Sequence, residues 1–225
     1  MLSLQSIIDA LLSIPAILIA LTVHEYAHGY AAYRLGDPTP RALGRLSLNP
    51  LKHLDPLGAL CLLLFKFGWA KPVPINARYF KHPKRDIAIT ALAGPLVNIL
   101  LAFSGAFLYI GAYVAFSALL RAVMATSILL TTLNYTLKFL MYFHYINLTL
   151  ALFNCIPVPP LDGSRFLLPL LPNRAYYFVL KYERYFSLAL MLLLVLGVLT
   201  PVLGTVAGWI SDGMLTLARI TFGIS

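Results

Sequence analysis

Three ionisable side chains fall within five residues of an otherwise apolar stretch: His24, Glu25 and His28, in the order His-Glu-Tyr-Ala-His. On a helix, residues four apart differ by about 40° around the axis, so both imidazoles share one face and can grip one ion. Glu25, one position past His24, is placed to reach a water on that ion rather than to ligate it. Water on zinc has a pKa near 7, and a neighbouring carboxylate can take its proton. Such five-residue patterns arise by chance in soluble sequences. Here each charge sits in apolar surroundings where it is costly, which favours a functional role. The alternative is an aqueous loop just past the helix; against it, Tyr26, Ala27, Ala31, Ala32 and Tyr33 continue the helical run for two more turns.

Zinc with one open position needs a third protein ligand. The acids besides Glu25 are Asp9, Asp37, Asp55, Asp86, Asp162, Glu183 and Asp212. Only Asp162 has a distinctive context, Asn154-Cys155-Ile156-Pro157-Val158-Pro159-Pro160-Leu161-Asp162-Gly163. Its prolines break a helix and free backbone groups, and irregular backbone is tolerated at membrane depth where it lines a polar cavity. Taken alone, the stretch also reads as a helix-ending turn with a solvated Asp162. The other candidate ligands are His144, which reads as a helix-packing or channel residue, and His53 and His82, which read as solvated loop histidines.

The elements that must position these groups follow from composition. Of the 225 residues, 60% are hydrophobic and 11% charged, with a mean hydropathy of +0.83. So few charges cannot cover a soluble domain of this size, and the implied solvent is lipid. The net charge of +9 raises the question of nucleic acid. Ten of the 17 Lys and Arg lie from Arg34 to Arg85, and Arg165, Arg174, Lys181 and Arg184 fill a second hydrophilic interval. Charge confined to loops between apolar runs is the positive-inside pattern rather than a nucleic-acid face. Cys61 and Cys155 form no pairing motif and read as small buried hydrophobes. The N-terminus lacks a basic region and a cleavage site, so its first apolar stretch is expected to be retained.

The expected fold is an all-α polytopic membrane protein, residues 1–225 as a single domain, with five spans near 4–33, 87–116, 127–155, 185–199 and 205–220. A turn at Thr200-Pro201 and Gly204 would divide the last pair, which a half-span hairpin could replace. Within 35–86, short strands and loops are expected, and Leu57–Phe67 is too short to span and reads as re-entrant or interfacial. Five spans with the N-terminus outside place both basic intervals and Arg219 in the cytoplasm.

The ordered motifs resemble the site-2 protease family of intramembrane zinc metalloproteases. The likeness runs over about residues 15 to 165, through His24–His28, the Asn154–Gly163 stretch, Ala93-Gly94-Pro95-Leu96-Val97-Asn98, and Gly68-Trp69-Ala70-Lys71-Pro72-Val73-Pro74-Ile75-Asn76. It implies that His24, His28 and Asp162 hold one Zn2+ per chain and that Glu25 is the catalytic base. It further implies that Asn154 positions the substrate or its polarised carbonyl, and that strands before the second span pair with an extended substrate. Gly94 and Asn98 read first as packing between membrane helices. The implied partners are the lipid bilayer and membrane proteins with a transmembrane segment, in a prokaryotic plasma membrane, with no nucleic acid; a membrane-embedded regulator would be unidentified. The chain has room for neither a PDZ nor a CBS domain. The competing function is a non-proteolytic metal-binding membrane protein or transporter. Transporters often have repeated halves, which this chain lacks, and a pure metal site has no need of Glu25.

Overall fold

The computed structural model describes residues 3–58, 70–123 and 126–224. Helix α1, Leu4–Arg34, starts where the Ser3 hydroxyl accepts the Ser6 N–H and ends with Arg34 in its last turn, complementing the helix dipole. Its buried positions include Ala16, Ala20, His24, His28 and Ala32. At four-residue spacing these form one stripe, so the face that carries the imidazoles is the face that packs. Gly36, with φ +109°, then turns the chain.

A short helix, α2 (Thr39–Ala42), and two 3-10 turns, Pro50–Lys52 and Ala77–Tyr79, interrupt the irregular region that follows. The expected strands are not formed among the described residues, where one isolated antiparallel bridge joins Leu54 to Ala70. Proline explains this, since Pro72 and Pro74 have no N–H to give to a ladder. Residues 70–76 are instead held by side chains: Arg45 donates to Lys71 O at 2.6 Å, and Asp37 accepts the Asn76 N–H at 2.7 Å. Of the expected re-entrant run Leu57–Phe67, all but the first two residues lie outside the described set, as does Cys61.

Helix α3 covers Pro83–Ala122 and α4 covers Ser127–Asn154. They approach closely at Gly105, where an added Cβ would stand 3.0 Å from His144 Cα. Beyond α4 come α5 (Asp162–Leu167), a 3-10 turn (Leu168–Leu170), α6 (Asn173–Lys181), α7 (Glu183–Val195) and α8 (Leu199–Thr221). Helices α1 and α3 are long and apolar enough to cross a bilayer, and α7 with α8, bent by 79°, would make one further span. The chain is an integral membrane protein. Helix α4 has the length but carries Thr131, Thr132, Asn134, Thr136 and Lys138 in its first half, and it falls short of the same apolarity.

Among the described residues, length and apolarity mark two such helices, or three spans with the last pair joined, beside the five expected. The break lies at Leu196–Val198, where Gly197 adopts φ +71°, rather than at Thr200-Pro201 and Gly204. Pro201 stands in the first turn of α8, where its missing N–H costs nothing. Helix α8 then runs alongside α3 in the same direction: Ala207 packs with Ala102 and Leu148, and Phe222 with Phe107. Arg219 and Ile224 share a cavity with Tyr109 and Tyr113. Arg219 is thus at the end of the bundle opposite Arg34, which corrects its expected position beside the basic loops. The same end holds the start of α1, where Asp9 pairs with Lys138 at 3.0 Å.

Candidate metal centre

The site is built from three helices and one turn. His24 and His28 come from the buried stripe of α1, and Thr90, Gly94 and Asn98 from the facing stripe of α3. Asp162 arrives as the first residue of α5, after the proline turn that follows α4. Gly163 packs this turn against the end of α4, since a Cβ there would lie 2.4 Å from Cys155 O. Across 138 positions, the structure brings His24, His28 and Asp162 together.

Nε2 of His24 lies 3.0 Å and Nε2 of His28 3.1 Å from Asp162 Oδ2, and the two Nε2 atoms are 3.0 Å apart. The other ring nitrogens decide what these contacts are. His28 Nδ1 faces the carbonyl oxygen of Thr90 at 2.7 Å, and His24 Nδ1 faces Asn98 Oδ1 at 2.6 Å. Both are acceptors, so each imidazole carries its proton on Nδ1 and turns a lone pair on Nε2 inward. Two nitrogen lone pairs and a carboxylate oxygen then face one another with no proton among them in the neutral rings. A cation resolves that arrangement. Two imidazoles and one carboxylate form the three-ligand donor set of a catalytic zinc site. Donors about 2.0–2.1 Å from a tetrahedral ion stand about 3.3 Å apart, close to the 3.0–3.1 Å observed here. The residues fit the metal.

Gly94 keeps the space clear: a Cβ at this position would fall 2.4 Å from His28 Nε2 and 2.6 Å from His24 Cε1. Gly94 and Asn98, read from sequence as packing, are parts of the centre. The signal was available as Thr90, Gly94, Asn98 and Ala102, one small or polar stripe at four-residue spacing on α3. Glu25 is half-buried, and its Oε2 accepts the Val73 N–H at 2.8 Å. Val73, Thr90 and Asn147 were not singled out by sequence.

Asn154 closes α4, and its Nδ2 donates to Leu150 O at 3.0 Å within its own helix. His144 is a packing residue: Nδ1 donates to Ala102 O at 2.7 Å, and the Ser211 hydroxyl donates to Nε2 at 2.9 Å. His53 is buried rather than solvated, with Nε2 donating to Ser47 O at 2.7 Å. His82 is exposed. Cys155 is exposed rather than buried, because it caps α4 where the chain leaves the helix.

Residues 12–198 match the family model described as Peptidase family M50. YwhC of Bacillus subtilis, named as a candidate zinc metalloprotease, is 38% identical over 193 residues, which is 86% of this chain and 82% of that protein. Rip2 of Mycolicibacterium smegmatis, named in the same way, is 31% identical over 157 residues, 68% of this chain and 54% of its own length. Rip2 of Mycobacterium tuberculosis is 29% identical over 159 residues, with the same coverage. This chain thus spans about half the length of the Rip2 proteins. No solved structure matches it.

Proposed function

This chain belongs to peptidase family M50, the site-2 protease family, as a metalloendopeptidase, and we propose that it cuts peptide bonds within or near transmembrane segments of other membrane proteins. One zinc ion, held by His24, His28 and Asp162, would serve the reaction. The observation that carries this reading is the convergence of two Nε2 lone pairs and Asp162 Oδ2 within 3.1 Å, with both Nδ1 protons committed elsewhere. When bound, zinc supplies Lewis acidity and draws the pKa of water toward neutrality.

The chain's own groups do the rest. Glu25, beside the ligands but outside their set, takes the proton of the attacking water and returns it to the leaving amine. The Val73 N–H fixes one oxygen of that carboxylate. Asn154, at the start of the proline turn, is the candidate to steady the scissile carbonyl. A substrate helix must unwind before its backbone is accessible, and residues 70–76, which reach Glu25 through Val73, are the candidate stretch for it to lie along. Arg34, Arg45, Lys52, Lys71, Lys84 and Arg85 lie in the chain that joins α1 to α3 or at its two ends. Their charge supports a reading in which the site faces the cytoplasmic side of a bacterial plasma membrane, with the N-terminus outside.

The test uses the full chain purified in detergent, with zinc content and cleavage of a membrane-anchored reporter measured together. The expected result is about one zinc per chain, with Glu25→Gln retaining the metal and losing cleavage. Cleavage surviving in Glu25→Gln would exclude the assigned base, and a metal-bearing wild type that cuts nothing would favour a binding or transport protein.

A further inference from the structure

We infer that Asn98 and Asn147 act together as positioning residues for the metal centre, fixing the tautomer and orientation of His24 through a relay of amides; the inference rests on the metal-centre reading above. His24, Asn98 and Asn147 come from α1, α3 and α4, and all three are buried, Asn98 and Asn147 at 0% exposure. A primary amide has a donating end and an accepting end, so its effect on a neighbour depends on which way it faces.

Here the direction is set twice over. Nδ2 of Asn98 donates to Ala20 O at 3.2 Å and to Asn147 Oδ1 at 2.7 Å, which leaves Asn98 Oδ1 for His24. Asn147 is fixed in turn because its Nδ2 donates to Phe143 O at 2.8 Å within α4. The donors run one way: His24 gives to Asn98, Asn98 to Asn147, and Asn147 to the α4 backbone. Reversing either amide would set oxygen against oxygen in a buried interior, where each unmade bond costs about 1–3 kcal/mol.

The two histidines differ in a way that makes this consequential. His28 gives its Nδ1 proton to a backbone carbonyl, Thr90 O, which the helix itself holds. Only His24 depends on replaceable side chains. The relay also ties together the elements that bring the ligands, because Ala20 O lies one turn before His24 on α1, and α4 leads through the proline turn to Asp162. An outer partner that accepts the far proton of a ligating imidazole fixes its tautomer and raises its basicity, commonly at 10- to 100-fold in metal affinity.

The experiment measures zinc affinity of the full detergent-solubilised chain by competition with a chromophoric chelator, and thermal unfolding with and without zinc. Asn98→Leu is expected to weaken zinc about 10- to 100-fold and Asn147→Leu about tenfold. Asn98→Asp keeps an acceptor for the Nδ1 proton but sets an oxygen against Asn147 Oδ1 and Ala20 O, so it binds zinc more tightly than Asn98→Leu and more weakly than wild type. In both leucine variants the rise in Tm on adding zinc shrinks. The visible spectrum of the cobalt(II)-loaded Asn147→Leu protein shifts from that of wild type. Should Asn98→Leu fail to fold, Asn147→Leu and Asn98→Asp decide the matter. Leucine variants that lose metal-free Tm yet bind zinc like wild type would reduce the relay to packing and overturn the inference. His28→Ala keeps the two failures apart. Zinc lost in His28→Ala but unchanged in both leucine variants sinks the relay alone, and a wild type that binds no zinc sinks the centre with it.

Discussion

The backbone N–H of Val73 donates to Oε2 of Glu25 at 2.8 Å, tying the carboxylate next to His24 to a stretch 48 positions away. Between Pro72 and Pro74, Val73 has the one amide hydrogen, and its side chain is buried at 6% exposure. A hydrogen bond to a charged group is worth about 1.5–3 kcal/mol, or about tenfold to a hundredfold in rate when it aligns a reacting group. Val73→Pro should lower cleavage by that factor with zinc content unchanged, whereas Val73→Ala, which retains the N–H, should stay near wild type. Equal loss in both variants would assign the effect to the side chain.

Gly94→Ala should empty the metal centre. Its new methyl would overlap both imidazoles, at 2.4 and 2.6 Å, and the rigid α3 backbone leaves it nowhere to go. Zinc content is expected below about one-tenth of wild type, given how strongly metal sites depend on ligand placement. Gly105→Ala provides the contrast, since its Cβ would press on the His144 backbone instead. That change should cost about 1–3 kcal/mol through overpacking and leave zinc bound.

Removal of the metal has its own signature. Chelation should abolish cleavage, and added zinc should restore it. Because the ion binds the folded state, a hundredfold excess over Kd adds about 2.7 kcal/mol of stability, so Tm should fall on chelation and recover with zinc. Asp162→Ala should show neither response, and a Tm indifferent to zinc in wild type would contradict the site.

Ser211→Ala removes the hydroxyl that donates to His144 Nε2 and leaves a buried acceptor unmatched, at a cost of about 1–3 kcal/mol. Thermal unfolding should register the loss while zinc content stays constant. Falling zinc would bring His144 back among the ligands.

The packing of α8 beside α3 predicts which positions share a compartment. In a background carrying Cys61→Ser and Cys155→Ser, cysteines at Ser3 and Ile224 should react with an impermeant thiol reagent in intact cells. Lys181→Cys should react only after permeabilisation. Labelling of Ile224→Cys and Lys181→Cys from the same side would contradict α8 as the completing half of a bent crossing.

What the sequence disclosed depended on whether the causes were local. The spacing of His24 and His28 and the proline context of Asp162 are local, and both point to the groups that meet in space. The helical runs are local too, because apolar residues at close spacing fix them. Hydropathy carries no direction, so the course of α8 relative to α3 could not be read, and Arg219 was placed at the wrong end. Gly197 lies four residues before Pro201, and the proline attracted the turn although a helix accepts proline in its first turn. Residues 70–76 form no strand because their partners are the Arg45, Asp37 and Glu25 side chains, distant in sequence. Asn147 gave no signal, since one amide in a membrane helix looks the same whether it packs or orients a ligand.

Helix α3 has 40 residues, about 60 Å at 1.5 Å per residue and twice the thickness of a bilayer's hydrocarbon, about 30 Å. Its charged start, Lys84-Arg85-Asp86, marks where it enters the apolar layer, and Gly94 comes eight residues after Asp86, about 12 Å further in. Hydrolysis at that depth would leave the fragment on the basic-loop side with roughly eight membrane residues, far fewer than the about 20 that anchor a helix. That fragment would be too short of apolar residues to stay anchored, so scission and release from the bilayer become one event.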